Sequence, residues 1–353
     1  MSYFRSDLKN KGTVTINVPF RKRMMSLNES TLNPFRHLKK EFIEDLQNVP
    51  LNRYFNNVTD KLRTSLSQYT GVPENCLIFG NGADEMLYYL FNAVRENNNS
   101  YAVSLSPSYF DYKSYSSAVG LGIKFLNLNS DYDFDLDNYL MLTNSADCVL
   151  SILCNPNNPT GNLLDADKIL KIIEESNVLI LIDETYFEFS GVTYKDLISD
   201  HNNLIIIRSF SKAFSAAGLR FGYLISNPEN IREIKQVMTI FNLNLMTQAF
   251  VATMLANKSI FLDHNRKVLK YRDYLFNEMK KIPPLTVKNT ATNFLLFTAG
   301  EFTEQLFIYL TDHDISLRPL GAHPLLKDYL RVTVSSVEDN DYFLSKLRNF
   351  FQQ

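Results

Sequence analysis

The chain has 353 residues, 45% of them hydrophobic and 21% charged, with a net charge of -2. That balance is ordinary for a globular protein and excludes a disordered or fibrous chain. The small net charge and the lack of a long Lys/Arg block leave no case for a nucleic-acid surface.

The length suits two domains, or one large domain with a satellite. The segment Met1-Ser2-Tyr3-Phe4-Arg5 lacks an apolar signal core, and no apolar run is long enough to span a bilayer, so a cytoplasmic location is expected. Cys76, Cys148 and Cys154 form no CxxC pair and lie near apolar runs, which reads as buried, reduced thiols.

In chain order the predicted elements alternate. Leu77-Ile78-Phe79 reads as a short strand ending in Gly80-Asn81-Gly82, with a helix from Asp84. Tyr101 to Ser104 reads as a strand stopped by Pro107, and Cys148 to Leu153 as another stopped by Asn155-Pro156. A helix follows over about Asp165 to Glu175, then strands over Val178 to Asp183 and Leu204 to Ile207. Strands that are apolar throughout and separated by helices are covered on both faces. The pattern predicts an α/β layered fold with a largely parallel sheet. After about residue 255 the texture changes. A charged helix is expected over Asn265 to Lys281, then shorter strands at Phe294 to Phe297 and Leu330 to Val334. A last helix is expected from near Val337, and this part reads as a smaller, separate domain.

Polar residues gather at the predicted strand ends, where a parallel sheet binds ligands. Lys212 follows the strand that begins at Leu204, flanked by Ser209 and Ser211 and followed by Gly218-Leu219-Arg220. A lysine among small and apolar residues is expensive to bury as a charge, and it escapes by a lowered pKa or by an imine with a carbonyl cofactor. Asp183 closes its strand, with Tyr186 just beyond, and Asn158 lies in the turn after the Cys148 strand. The turn at Gly80, Gly82, Ala83 and Asp84 opens a helix whose free backbone N–H groups suit a phosphate. It lacks a GxxxxGK loop and the third glycine of a dinucleotide fingerprint. Taken singly, each has a plain alternative: a surface lysine, a helix cap, a turn asparagine, a tight glycine turn. Together they offer what pyridoxal phosphate needs: an amine, a carboxylate for the ring nitrogen, donors for the ring oxygen and a phosphate cup.

The segments Gly80-Asn81-Gly82-Ala83-Asp84-Glu85, Asn157-Asn158-Pro159-Thr160-Gly161, Asp183-Glu184-Thr185-Tyr186 and Ser209-Phe210-Ser211-Lys212 carry a resemblance over almost the whole chain. The sequence resembles the fold-type I pyridoxal-phosphate-dependent aminotransferases of class I/II, within them the histidinol-phosphate aminotransferase group. The resemblance implies a large domain with a mainly parallel, seven-stranded-type sheet between helices and a smaller α+β domain. It divides the chain into an N-terminal arm over 1–35, a cofactor-binding domain over 36–255 and a small domain over 256–353.

It further implies that Lys212 bonds the cofactor and shuttles the proton, Asp183 pairs with the ring nitrogen, and Asn158 and Tyr186 hold the ring oxygen. Tyr109 stacks on the ring. Gly82, Ala83, Asp84, Ser209, Ser211 and Arg220 cradle the phosphate, which Tyr54 reaches from the neighbouring subunit of a homodimer. Arg331 grips a substrate carboxylate, Arg318 a distal phosphate, and Asn158 and Phe35 also face substrate. The substrates implied are a phosphorylated amine or amino acid and a 2-oxo acid; no metal is expected. Several positions depart from the family: the arm reads Asn28-Glu29-Ser30-Thr31-Leu32-Asn33-Pro34-Phe35-Arg36, Phe55 replaces a proline, and Ser335-Ser336 replaces Gly-Thr. Phe35 has no hydroxyl for a substrate phosphate, so a threonine-phosphate decarboxylase, an aromatic-type aminotransferase and an inactive scaffold stay open as alternatives.

Overall fold

A computed structural model of the chain describes residues 3, 19–54 and 57–352. Phe55 and the segment ends Met1, Ser2, Phe4 and Arg5 lie outside the described residues.

The chain begins as an arm that forms the short strand β1 (Arg23–Met24) and then the helices α1 (Pro34–Leu46) and α2 (Val58–Thr70). The central layer is a seven-stranded sheet. Its strands are β2 (Leu77–Gly80), β3 (Tyr101–Ser106), β4 (Gly122–Asn127), β5 (Cys148–Cys154), β6 (Leu179–Asp183), β7 (Leu204–Ser209) and β8 (Gly222–Ser226). They lie in the order β2-β8-β7-β6-β5-β3-β4. The run from β4 to β7 is parallel, as the sequence pattern predicts. The far edge is not: β8 runs antiparallel to both β7 and β2.

The strands read as continuous apolar runs because each face is covered. On β6 and β7, Ile180, Ile182, Leu204 and Ile206 join one core, while Leu181, Ile205 and Ile207 join the core on the opposite face. Around the sheet pack α3 (Ala83–Val94), α4 (Asp111–Val119), α5 (Leu136–Thr143), α6 (Ala166–Glu175), α7 (Phe187–Ser190), α8 (Pro228–Lys235) and α9 (Leu245–Ala256). Helix α6 starts where Asp165 accepts from the amides of Asp167 and Lys168, and it buries Ile169, Ile172 and Ile173. Helix α9 is buried almost all round, which explains its uniformly apolar sequence.

Helix α10 (Lys258–Lys280) begins well before the expected Asn265. Its buried residues Phe261, Asn265, Val268, Leu275 and Met279 keep helical spacing from the first turn, although the charged residues between them mask it. The remaining elements are β9 (Thr286–Lys288), β10 (Phe294–Thr298), α11 (Thr303–Asp312), β11 (Ile315–Ser316), β12 (Arg318–Pro319), β13 (Leu330–Thr333) and α12 (Val337–Phe351). A four-stranded antiparallel sheet runs β12-β13-β10-β9. It shares a separate apolar core with α11 and α12, built from Leu295, Phe297, Leu306, Val332 and Phe343. The arm belongs to this unit: Met25 is fully buried in that core, and β1 pairs with β11. Among the described residues no single helix is long and apolar enough to cross a membrane.

Candidate active site

The parallel strands end together, and their ends bring the predicted polar residues to one place. Asp183 is the last residue of β6, in register with Cys154 and Ile207. One carboxylate oxygen accepts from the Tyr112 hydroxyl at 2.7 Å and the other from the Thr185 amide at 3.0 Å. Burial pushes its pKa up, while the Thr185 and Tyr112 hydrogen bonds pull it down. A buried carboxylate with two neutral donors and, among the described residues, no paired cation is suited to a protonated ring nitrogen. Tyr112 was not legible as a site residue. It lies one helical turn beyond Tyr109, and the two rings meet edge to face at 5.3 Å.

Lys212 follows β7, in the loop that Ser209 and Ser211 open. Its Nζ donates to the Leu27 carbonyl at 2.8 Å. Burial lowers its pKa to about 8, with the nearby Arg331 charge acting in the same direction. An amine so placed is poised to lose its proton near neutral pH. The Tyr186 hydroxyl accepts from Asn28 Nδ2 at 2.7 Å, and burial raises its pKa to about 12. Asn28 is held at φ 57°, in the left-handed region, and its amide donates to Thr333 Oγ1. The sequence flagged Asn28 only as part of a divergent arm; its reach to Tyr186 is a tertiary contact without a local signal.

The cradle end is equally defined. Gly82 sits at φ 92° directly before α3, and a Cβ there would lie 2.5 Å from an Arg220 guanidinium nitrogen. At Gly222 a Cβ would lie 2.2 Å from the Ala83 amide nitrogen. The turn therefore requires glycine to bring Arg220 and β8 against the amides of Ala83 and Asp84, which the first helical turn leaves without intrahelical partners. Arg220 pairs with the Asp84 carboxylate at 2.8 Å, and the Tyr109 hydroxyl donates to the same group at 3.2 Å. Ser209 Oγ donates to Ser211 Oγ at 3.0 Å. Backbone amides, two hydroxyls and a guanidinium form a donor set for a phosphate. Lysine, buried carboxylate and cradle together fit pyridoxal 5'-phosphate.

A third cluster faces them from the small sheet. Arg331 Nη1 donates to Asn158 Oδ1 at 2.6 Å and Nη2 to the Ser26 carbonyl at 2.9 Å, while its Nε has no partner among the described residues. Burial lowers its pKa to about 10, and Arg318 adds to that. Arg318 lies directly opposite Arg331 in the β12–β13 register, its guanidinium 5.7 Å from the Phe110 ring centre.

Two predicted residues stand elsewhere within the chain. Phe35 lies on α1, half exposed, with its ring against Phe42 and Phe250. The arm meets Lys212 and Tyr186 through Leu27 and Asn28 instead, because α1 begins at Pro34, with Asn33 as its cap, and carries Phe35 onto α9. Tyr54 is 75% exposed and stacks on Phe241 at 4.6 Å.

The chain matches the family model "Aminotransferase class I and II" over residues 23–347. It is 33% identical over 337 residues to the histidinol-phosphate aminotransferase of Thermoanaerobacter pseudethanolicus, covering 94% of this chain and 93% of that protein. Its fold is similar to that of the histidinol-phosphate aminotransferase from Clostridium acetobutylicum, with a TM-score of 0.82 and 25% identity over 94% of this chain and 99% of that one. It also superimposes on the enzyme of the same name from Sinorhizobium meliloti, a complex with pyridoxal-5'-phosphate, with a TM-score of 0.88 at 20% identity over 100% and 98% of the two chains; at that identity the likeness is one of fold. The chain belongs to the class I and II aminotransferases, the pyridoxal-phosphate-dependent transaminases of fold type I.

Proposed function

We propose that the protein is a homodimeric, cytoplasmic histidinol-phosphate aminotransferase that passes an amino group between histidinol phosphate and 2-oxoglutarate. The observation that carries this reading is the Arg318–Arg331 pair. Two guanidinium groups directly opposite each other on antiparallel strands repel. Arg331 is buried with only neutral hydrogen-bond partners. Such a pair calls for anionic groups on the substrate. A phosphorylated amine and a dicarboxylic oxo acid meet that need in turn. Arg331 receives the α-carboxylate and Arg318 the distal anion. The named relatives support the same substrate.

When bound, pyridoxal phosphate supplies an electron sink for charge developing at the substrate Cα. The chain's residues do the rest. Lys212, with its lowered pKa, would accept a proton at Nζ from the substrate Cα and deliver it to the carbon that carried the cofactor's aldehyde. Asp183 holds the ring-nitrogen proton, and Tyr112 and Thr185 hold Asp183. Asn158 and Tyr186 would orient the ring oxygen, and Tyr109 would pack on the ring. Gly82, Ala83, Asp84, Ser209, Ser211 and Arg220 hold the phosphate.

The dimer reading rests on an exposed apolar surface. Leu51, Tyr54, Ile240 and Phe241 line one cleft and are exposed large apolar groups. A second copy seated there would bring Tyr54 towards the other subunit's cradle. A division into two units is supported by the separate small-unit core, which Met25 joins and which takes in α10 from Leu275, while Phe261 and Val268 pack with the large sheet.

The decisive experiment mixes purified protein, histidinol phosphate and 2-oxoglutarate and measures glutamate. Absence of glutamate, with carbon dioxide released from threonine phosphate, would replace this reading with decarboxylation. Sedimentation gives the oligomeric state, and a monomer would remove the shared-site part.

A further inference from the structure

Three side chains from distant parts of the chain meet beside the Lys212 loop, and neither the cofactor cradle nor the arginine pair uses them. Ser215 Oγ donates to Ser30 Oγ at 2.7 Å. Ser30 Oγ also accepts from the Leu32 amide at 3.2 Å and lies 3.0 Å from His264 Nε2. A hydroxyl has two acceptor sites and one proton. With both acceptor sites taken by Ser215 and Leu32, the Ser30 proton goes to His264 Nε2. His264 is thereby fixed as the neutral tautomer protonated at Nδ1. Burial, with Lys267 and His37 nearby, favours that neutral form.

The backbone supplies an independent observation. Ser215 is held at φ 58°, in the left-handed region that a residue with a Cβ avoids and glycine adopts freely. Its amide donates to the Lys212 carbonyl at 3.1 Å, so the strained residue closes the loop that carries the lysine. A strained residue persists where its surroundings over-determine it. Here the hydroxyl that glycine would lack makes the contact with Ser30. On the arm side, Ser30 stands just beyond Leu27 and Asn28, which face Lys212 Nζ and the Tyr186 hydroxyl.

We propose that Ser215, Ser30 and His264 form a latch that pins the N-terminal arm to the Lys212 loop and to α10, and that they act as positioning residues for the lysine amine. This rests on reading Lys212 as the reactive amine. With the latch closed, Leu27 O aims Nζ and Asn28 aims the Tyr186 hydroxyl. With it open, the arm samples other positions, and substrate meets a less ordered site.

The test uses the full-length, cofactor-loaded protein and the variants S215A, S215G, S30A and S30A/S215A. Two readouts are taken: hydrogen exchange of the amides over 27–32 without substrate, and KM against kcat. S215A should raise exchange and KM by roughly 2- to 10-fold, the worth of one hydrogen bond, and S30A, which also gives up the Leu32 and His264 contacts, by more, with kcat changed by no more than about twofold in either. The double variant should be no worse than S30A alone, since S30A already removes the bond that S215A breaks. S215G should have a higher Tm than S215A and keep the exchange and KM of S215A. H264Q, whose amide oxygen can accept the Ser30 proton, should stay near wild type, while H264A, which loses that one contact, should rise into the range of S215A. The latch is overturned if S215A is unchanged, if S215G restores wild-type exchange and KM, or if S30A and S215A add. Exchange is read without turnover, so a protein with no transaminase activity would reject the Lys212 reading while the latch is still judged.

Discussion

The floor and the far wall of the site are built in different ways. The floor stands on strands of the large sheet: Asp183 ends β6, and Ser209 ends β7 with Lys212 just beyond. Beneath it, on the opposite side of the same two strand ends, Arg208 and Glu184 form a buried pair at 2.7 Å, with Arg208 3.7 Å from the Phe187 ring centre. The wall is assembled from Arg331 on β13, Arg318 on the two-residue strand β12, and the arm at Ser26 to Asn28. The floor is covalently compact and rigidly backed. The wall depends on contacts between segments hundreds of residues apart, such as Asn28 with Thr333. A site with a fixed floor and a composite wall can keep one chemistry while its substrate end changes.

Substitutions separate the two parts. Lys212→Ala should have the largest effect, reducing kcat by on the order of 10²–10⁴-fold while the protein still folds, as thermal unfolding would show. Surviving turnover would remove the floor's central assignment. Arg331→Lys should act on the wall, since an ammonium cannot match a carboxylate in two-pronged fashion. A loss of about 2 kcal/mol, roughly 30-fold in kcat/KM for glutamate, is expected, with cofactor affinity unchanged. Weakened cofactor binding instead would show that floor and wall are not separable.

Tyr112→Phe removes one hydrogen bond to a buried carboxylate and should raise the Asp183 pKa. Cofactor affinity measured by absorbance should weaken by about 1.5 kcal/mol, roughly tenfold. The last effect is on stability rather than rate, and it is read in pH. The Lys212 pKa is lowered to about 8 from 10.5. In the cofactor-free protein the folded state therefore binds fewer protons than the unfolded one between those values, and stability relative to Lys212→Met should rise with pH across that window. A flat difference curve would show that the amine is not held in a desolvated pocket.

The floor was readable because its residues sit in short contiguous motifs at strand ends, where continuous apolar runs announce buried strands. Asp183, Asn158, Lys212 and the Gly82 turn all have such local context. Tyr112 had none, because its link to Asp183 depends on how α4 packs. Ser26 and Leu27 were invisible for the same reason, and Asn28 stood out only as part of a divergent arm. Phe35 was drawn towards the substrate by its place in an arm motif, but the Asn33 cap and Pro34 start α1 there and send its ring to Phe42 and Phe250. The antiparallel turn of β8 was equally hidden, since strand direction leaves no mark on a five-residue apolar segment.

Helix α10 has a mechanical consequence. Its first half packs Phe261 and Val268 into the core of the large sheet, and its second half packs Leu275 and Met279 into the core of the small one. The stretch between contains neither glycine nor proline. Such a helix is a strut: it carries force from one unit to the other without a joint, and resists flexing with every intact turn. Displacement of the β12–β13 wall is thus paid out at the ends of this strut, and the His264 end of it is where the arm is fastened.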